Sequence, residues 1–154
     1  MVGISDEAPR PKGIVTVEVI YPDGNKDIFV VENRIVAQGR DYMLRNTIGV
    51  NTVDINYIAL SNDTTDPSDT ETSMPGTWVY TITALKSHPS PRKIRWSVIG
   101  LDGGATGISG NTLASIGLCT GSNGSGLFAR VKLPSTIGLA SGVTVNVNYD
   151  VTIS

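Results

Sequence analysis

Apolar and polar residues alternate along several parts of the chain, which is the period of a β-strand with one buried face. The alternation runs through residues 13–21, the turn residues of segment 22–25 follow, and residues 27–31 complete a return strand. Because an Asp-Gly pair readily adopts the positive φ of a tight turn, these segments predict a β-hairpin. The clearest alternation lies at 143–153, where every second residue is apolar.

Shorter apolar runs predict the remaining strands. They lie at 55–60, 78–84, 94–98, 113–119 and 127–133 and are separated by segments rich in Gly, Ser, Thr, Asp and Pro. The longest of these separators, at 61–76, predicts a surface loop. His88-Pro89-Ser90-Pro91 predicts a turn, since proline cannot donate to a ladder. About eight strands are expected.

One helix is expected, over residues 34–49. Asn33 has a side chain suited to the N-cap, and Val36 and Met43 fall near one face. Gly39 weakens the helix by ~1 kcal/mol relative to alanine, so a short, packed helix is predicted. Gly49 is a natural end.

The pattern as a whole predicts one mainly β domain over residues 13–154, a β-tulip-like barrel or sandwich with one short helix. Residues 1–12 carry two prolines, mixed charges and no periodicity, which indicates an extended N-terminal arm. Such an arm is either disordered or lies on a neighbouring subunit. No stretch approaches the ~20 apolar residues of a membrane span, so no membrane partner is expected.

The low charge content of the chain bears on which partners it is expected to bind. Charged residues make up 17% of the chain, against 40% hydrophobic ones, and the formal net charge is −2. A surface this poor in charge favours a protein partly covered by other subunits. The net charge and the scattered basic residues argue against a nucleic-acid partner.

Candidate catalytic groups are few, so we expect neither an enzyme nor a cofactor. His88 is the single histidine and is expected to be solvated, and Cys119 lies in an apolar run and is expected to be buried. Asp63, Asp66 and Asp69 recur at every third position, but not with the spacing of an EF-hand, so a solvated loop is favoured over a cation site. No metal site is predicted.

Two further features allow alternative interpretations. The glycine-rich segment 103–107 lacks the Lys and Ser/Thr of a phosphate-binding loop and is interpreted as a hairpin connection. Trp78, Tyr80 and Trp96 either form a sugar-stacking face or, as aromatic residues at alternating strand positions more often do, serve as core or interface anchors.

Several segments, in chain order, resemble a module of tailed-bacteriophage virion proteins. They are Asn33-Arg34-Ile35-Val36, Gly39-Arg40-Asp41-Tyr42-Met43-Leu44, Ile55-Asn56-Tyr57-Ile58-Ala59-Leu60, Asp69-Thr70, Ala114-Ser115-Ile116-Gly117-Leu118, Gly126-Leu127-Phe128-Ala129-Arg130 and the closing strand at 143–153. The resemblance covers about residues 33–153.

The resemblance implies a structural role in the virion, most like that of a small trimeric head decoration (cement) protein. Its partners would be further copies of itself, as a homotrimer, and the major capsid protein, on the capsid exterior. The alternative is a tail-fibre, collar or baseplate component that binds a receptor or a glycan. The residues expected to contact partners are Val2, Ile4, Pro9 and Pro11 of the arm, and Trp78.

Overall fold

The structure is a computed structural model and describes residues 11–153 of the chain. This part contains ten strands and one helix. In chain order they are β1 (Pro11–Ile20), β2 (Lys26–Glu32), β3 (Arg34–Ile35), α1 (Ala37–Ile48), β4 (Tyr57–Ser61), β5 (Val79–Thr83), β6 (Leu85–Ser90), β7 (Lys93–Asp102), β8 (Thr112–Cys119), β9 (Leu127–Gly138) and β10 (Thr144–Ile153).

The strands form two antiparallel five-stranded sheets. Sheet A has the order β2-β1-β10-β7-β6, and sheet B has the order β3-β9-β8-β4-β5. Buried apolar residues from both sheets form one core. The expected mainly β fold with one short helix is therefore confirmed. Over residues 11–153 the sheets do not close into a barrel, and a two-sheet sandwich is compatible with their arrangement.

The alternating pattern follows from burial on one side only. In β1 and β10 every second side chain is buried in the core, while the residues between them face outward. The predicted hairpin is confirmed, with β1 and β2 paired from Ile14 opposite Glu32 to Ile20 opposite Lys26. In sheet B, β8 is buried at seven successive positions, which is why its sequence shows an apolar run instead of an alternation.

The predicted helix is wrong at its start. Arg34 and Ile35 pair with β9, the helix begins at Ala37, and the cap position belongs to Val36, which provides no capping side chain. Asn33 does not cap the helix; its side-chain amide donates instead to the Tyr149 hydroxyl. The end is confirmed, because Gly49 adopts a left-handed φ of 71°.

The predicted turn at residues 88–91 is also wrong. His88, Pro89 and Ser90 belong to β6, and the chain reverses at Pro91 and the residue after it. Proline is tolerated there because β6 is an edge strand, and its pairing with β7 is interrupted between Ser87 and Ser90.

The described residues begin inside the predicted arm. Pro11 and Lys12 belong to β1 and pair with Ile153 and Thr152 at the end of β10. The rest of the predicted arm, residues 1–10, lies outside the described residues, and so do Val2, Ile4 and Pro9.

Candidate functional site

A buried arginine organises the loop between β4 and β5, and we name residues 62–76 of this loop the acidic loop. The side chain of Arg130, in β9, is completely buried. It donates from Nε and Nη2 to the Glu71 carboxylate at 3.1 Å each. It also donates to the Thr65 and Asp66 carbonyls, at 3.0 Å each, and to Ser115 Oγ at 2.9 Å. All five N–H donors of the guanidinium are thus used.

A second arginine holds the same loop to the helix. Arg40 makes two parallel hydrogen bonds to the Asp69 carboxylate, of 2.8 and 2.9 Å, and a third to the Ile35 carbonyl. The ion pair lowers the pKa of Asp69, chiefly through the hydrogen bonds from Arg40. Gly39 allows α1 to approach β9, since a Cβ there would lie 2.0 Å from the Phe128 carbonyl oxygen.

The three loop aspartates do not converge. Asp69 is bound to Arg40, whereas Asp63 accepts from the backbone and hydroxyl of Thr65. Asp66 is exposed and lies 3.5 Å from the ammonium of Lys132. Among residues 11–153, no group of three or more His, Cys, Asp and Glu side chains is placed to hold a metal ion. The loop is ordered by arginine contacts.

The other candidate chemical groups are dispersed. His88 is exposed on β6, and Cys119 is buried at the end of β8, where burial raises the pKa of the thiol to about 12. In the glycine-rich segment, the Gly103 N–H donates to the Val143 carbonyl and the Gly104 N–H to the Asp102 carboxylate. These two amides are therefore already engaged by the chain itself.

The aromatic residues do not share a face. Trp96 is buried in the core against Phe128, with its N–H donating 2.9 Å to the Ile55 carbonyl. Trp78 is half-buried near the start of β5, stacks on Tyr80 at a ring distance of 6.4 Å and donates to the Gly107 carbonyl. A sugar-stacking face that includes Trp96 is thus ruled out by its burial.

An apolar groove of about 750 Å³ lies at one end of the molecule, and we name it the end groove. One wall consists of the C-terminal half of α1 and the segment after it, and the other of strands β6, β7 and β10. Phe128 and Trp96 lie at the junction with the core. The remaining lining residues are Met43, Asn46, Thr47, Val53, Asp54, Ile55, Lys86, His88, Pro91, Arg92, Lys93, Ile94, Val151 and Ile153.

The groove combines exposed apolar side chains with a mainly basic set of charges. Ile94 and Ile153 are about half exposed in it. Its cations are Lys86, Arg92 and Lys93, and Asp54 is the one carboxylate among its lining residues. Such a site suits an apolar segment that carries acidic residues.

Large apolar side chains are exposed at two places within residues 11–153. Four lie on the outer face of sheet A: Ile28, Val30, Leu85 and Ile99. Five lie in the groove or on the helix that forms its wall and the residues after it: Leu44, Ile48, Val50, Ile94 and Ile153. The neighbouring pair Ile28 and Val30 on β2 and the set at the groove are groups of exposed apolar residues, and such groups are typical of interaction surfaces.

Comparisons with family models, with curated proteins and with solved structures found no match to this chain. Within the described part of the chain, the helix is too short and too polar to cross a bilayer.

Sequence reasoning missed the two central features of this region. The Arg130–Glu71 pair had one detectable signal, a charged residue inside the apolar run 127–133, because a buried charge needs a partner. The end groove had none, because its lining residues extend from Met43 to Ile153 and meet only in the folded chain.

Proposed function

We propose that this protein is a structural component of a tailed-phage virion and acts as a head decoration protein. It would act by covering surface, without catalysing a reaction. The observation that supports this most is the presence of two separate exposed apolar surfaces on a small domain, the end groove and the pair Ile28 and Val30 on β2. In this proposal the domain is a β-tulip-like sandwich.

The segments that carry the resemblance also contact one another, which supports the proposal. Gly39 and Arg40 lie against Phe128 and Asp69, and Arg130 holds the loop that contains Asp69. Motifs far apart in the chain thus form one packed unit of helix, acidic loop and β9. These contacts give a physical reason for the motifs to occur together in one module.

The end groove is the proposed contact with the capsid lattice. Its exposed isoleucines would bury against an apolar segment of the major capsid protein, and Lys86, Arg92 and Lys93 would meet acidic residues that flank that segment. The β1 strand begins at Pro11 opposite Ile153, which lines the groove. We propose that residues 1–10, which precede Pro11 in the chain, add contacts to a neighbouring subunit.

The test is the binding of purified protein to heads that lack it, together with its copy number per virion. A decoration protein should be present in many copies per head, whereas a tail component should be present in a few. Ile153→Asp should weaken head binding at least tenfold because it places a charge in the groove. Ile99→Asp, the same change at an exposed β7 residue that does not line the groove, is the matched control and should bind heads as tightly as the unmodified protein.

Deleting residues 1–10 tests the arm. We expect weaker head binding, with the circular dichroism spectrum and melting temperature of the full chain retained, because the deletion leaves β1 complete from Pro11. Equal affinity of the full and shortened chains would contradict the role of the arm. If Ile153→Asp binds heads as tightly as the unmodified protein, the groove is not the contact.

The stacked Trp78–Tyr80 pair favours a second candidate function, that of a glycan-binding tail component. The two rings are half-buried and nearly parallel, with an interplanar angle of 21°. A sugar ring stacks on such surfaces. Glycan binding that disappears in Trp78→Ala, together with a few copies per virion, would favour this alternative over decoration.

A further inference from the structure

Strand β2 is a free edge of sheet A with an exposed apolar face. In the described part of the sheet it pairs with β1 alone, and Ile28 and Val30 are 61% and 67% exposed. The opposite edge, β6, contains Pro89 and an interruption of its pairing, which are the usual features that prevent edge-to-edge association. The sequence of β2, KDIFVVE, has no proline.

The hydrogen bonds of the hairpin determine which β2 residues point to the free edge. Asn33 N–H donates to the Gly13 carbonyl at one end, and Tyr21 N–H donates to the Asn25 carbonyl at the other. Because bonded and non-bonded pairs alternate along an antiparallel ladder, the odd-numbered residues of β2 bond to β1. The main-chain groups of Lys26, Ile28, Val30 and Glu32 therefore point away from β1.

We propose that β2 pairs with β2 of a second copy, antiparallel and centred on Phe29. In this register Ile28 lies opposite Val30 of the second copy, and Lys26 lies opposite Glu32 of that copy, each twice by symmetry. All these pairs use the main-chain groups that point to the free edge. Phe29 meets its own copy at the twofold axis, in a non-bonded pair, as the alternation requires.

In this register the outward-facing side chains of the two β2 strands are complementary. The four apolar side chains contact one another across the axis, and an opposite-charge pair lies at each end, which is a favourable cross-strand arrangement. A twofold interface must match itself in this way. The association would join two copies of sheet A into one continuous sheet by strand addition. This dimer is proposed independently of any role in a virion, and it takes the place of the homotrimer that the resemblance implies.

The first experiment is the mass of the full chain in solution across a concentration series, by sedimentation equilibrium. We expect a reversible dimer. Val30→Pro should give a monomer with an unchanged circular dichroism spectrum, since it removes an N–H that β1 does not use. Val30→Lys should also give a monomer, whereas Leu85→Lys, at a residue 72% exposed on the other edge, should remain dimeric.

Charge exchange tests the register itself. Lys26→Glu places like charges opposite each other at both ends and should weaken the dimer about tenfold. Adding Glu32→Lys in the same chain should restore the affinity. Within one chain Glu32 also lies 3.7 Å from Lys12, so Lys12→Ala is the control and should leave the dimer intact.

Three results would overturn the proposal: a monomer at all concentrations, a trimer, or a dimer that persists in Val30→Pro. A double charge variant as weak as Lys26→Glu alone would reject the register. None of these results depends on heads or on the end groove, so they are distinguishable from a failure of the decoration proposal.

Discussion

Replacing Arg130 by methionine should be among the most damaging single substitutions in this chain. Methionine retains much of the length and the apolar stem but removes all five N–H donors. The Glu71 carboxylate then loses two hydrogen bonds, and the carbonyls of Thr65 and Asp66 and Ser115 Oγ lose one each. The Glu71 side chain is only 17% exposed, so water replaces the lost partner poorly.

The expected magnitude follows from the cost of leaving a buried charge unpaired. Removing one partner of a buried ion pair costs about 3–5 kcal/mol, because the remaining ion stays desolvated. Domains of this size are stable by about 5–15 kcal/mol, so this loss is a large fraction of the total. With about 2–4 °C lost per kcal/mol for a chain of this length, the melting temperature should fall by about 6–20 °C.

The assay is urea unfolding followed by circular dichroism, with Arg45→Met as the matched control. Arg45 pairs with Asp41 on the helix surface at 2.8 Å, and both side chains are substantially exposed, so its loss should cost at most about 0.5 kcal/mol. Arg130→Met combined with Glu71→Leu should cost less than the sum of the two single changes. A cost for Arg130→Met no larger than that of Arg45→Met would refute the reasoning.

Three further predictions concern packing and protonation. Gly39→Ala should lower the free energy of unfolding, measured by urea titration, by about 1–3 kcal/mol because the added Cβ meets the Phe128 carbonyl. Gly138→Ala is the control: its Cβ contacts nothing within 4 Å, so the free energy of unfolding should change by less than about 1 kcal/mol. Cys119, with its pKa raised to about 12, should react with thiol reagents only after unfolding; rapid reaction of the native protein would contradict its burial. Because the pKa of Asp69 is lowered in the folded state, its ionised form stabilises the fold at pH values above 3.8, and this stabilisation is lost as the pH falls through the lower pKa of the folded protein. Asp69→Asn should abolish this part of the acid dependence of stability, and identical curves of stability against pH for the two proteins would contradict it.

The sequence predicts well those strands whose buried positions produce a simple pattern of apolar residues. β1 and β10 bury alternate residues, so their period of two is visible and their positions were predicted closely. β8 and the first half of β9 are buried along successive positions, and apolar runs gave their approximate place without a register. The local sequence is enough to predict a strand where one face of the strand is buried and the other is exposed to solvent.

Local preference fails where a distant strand decides the conformation. Asn33 is a good capping residue by type, but pairing of Ile35 with Ala129 extends the strand and moves the helix start to Ala37. Pro89 favours a turn by type, but it is accommodated in an edge strand whose pairing is interrupted beside it. The end groove and the bonds of Arg130 depend entirely on such distant contacts, so no local pattern predicts them.

The two proposed interfaces use different strands of sheet A and should therefore act independently. The groove is lined by β6, β7 and the end of β10, whereas the dimer uses β2. A dimer carries two grooves, so it should bind a repetitive lattice with an avidity that one groove lacks. Val30→Pro should then lower binding to heads while leaving the affinity for a single, isolated capsid segment unchanged. Ile153→Asp should lower both affinities and leave the dimer intact. If Val30→Pro also lowers the single-segment affinity, the two surfaces are coupled and this division is wrong.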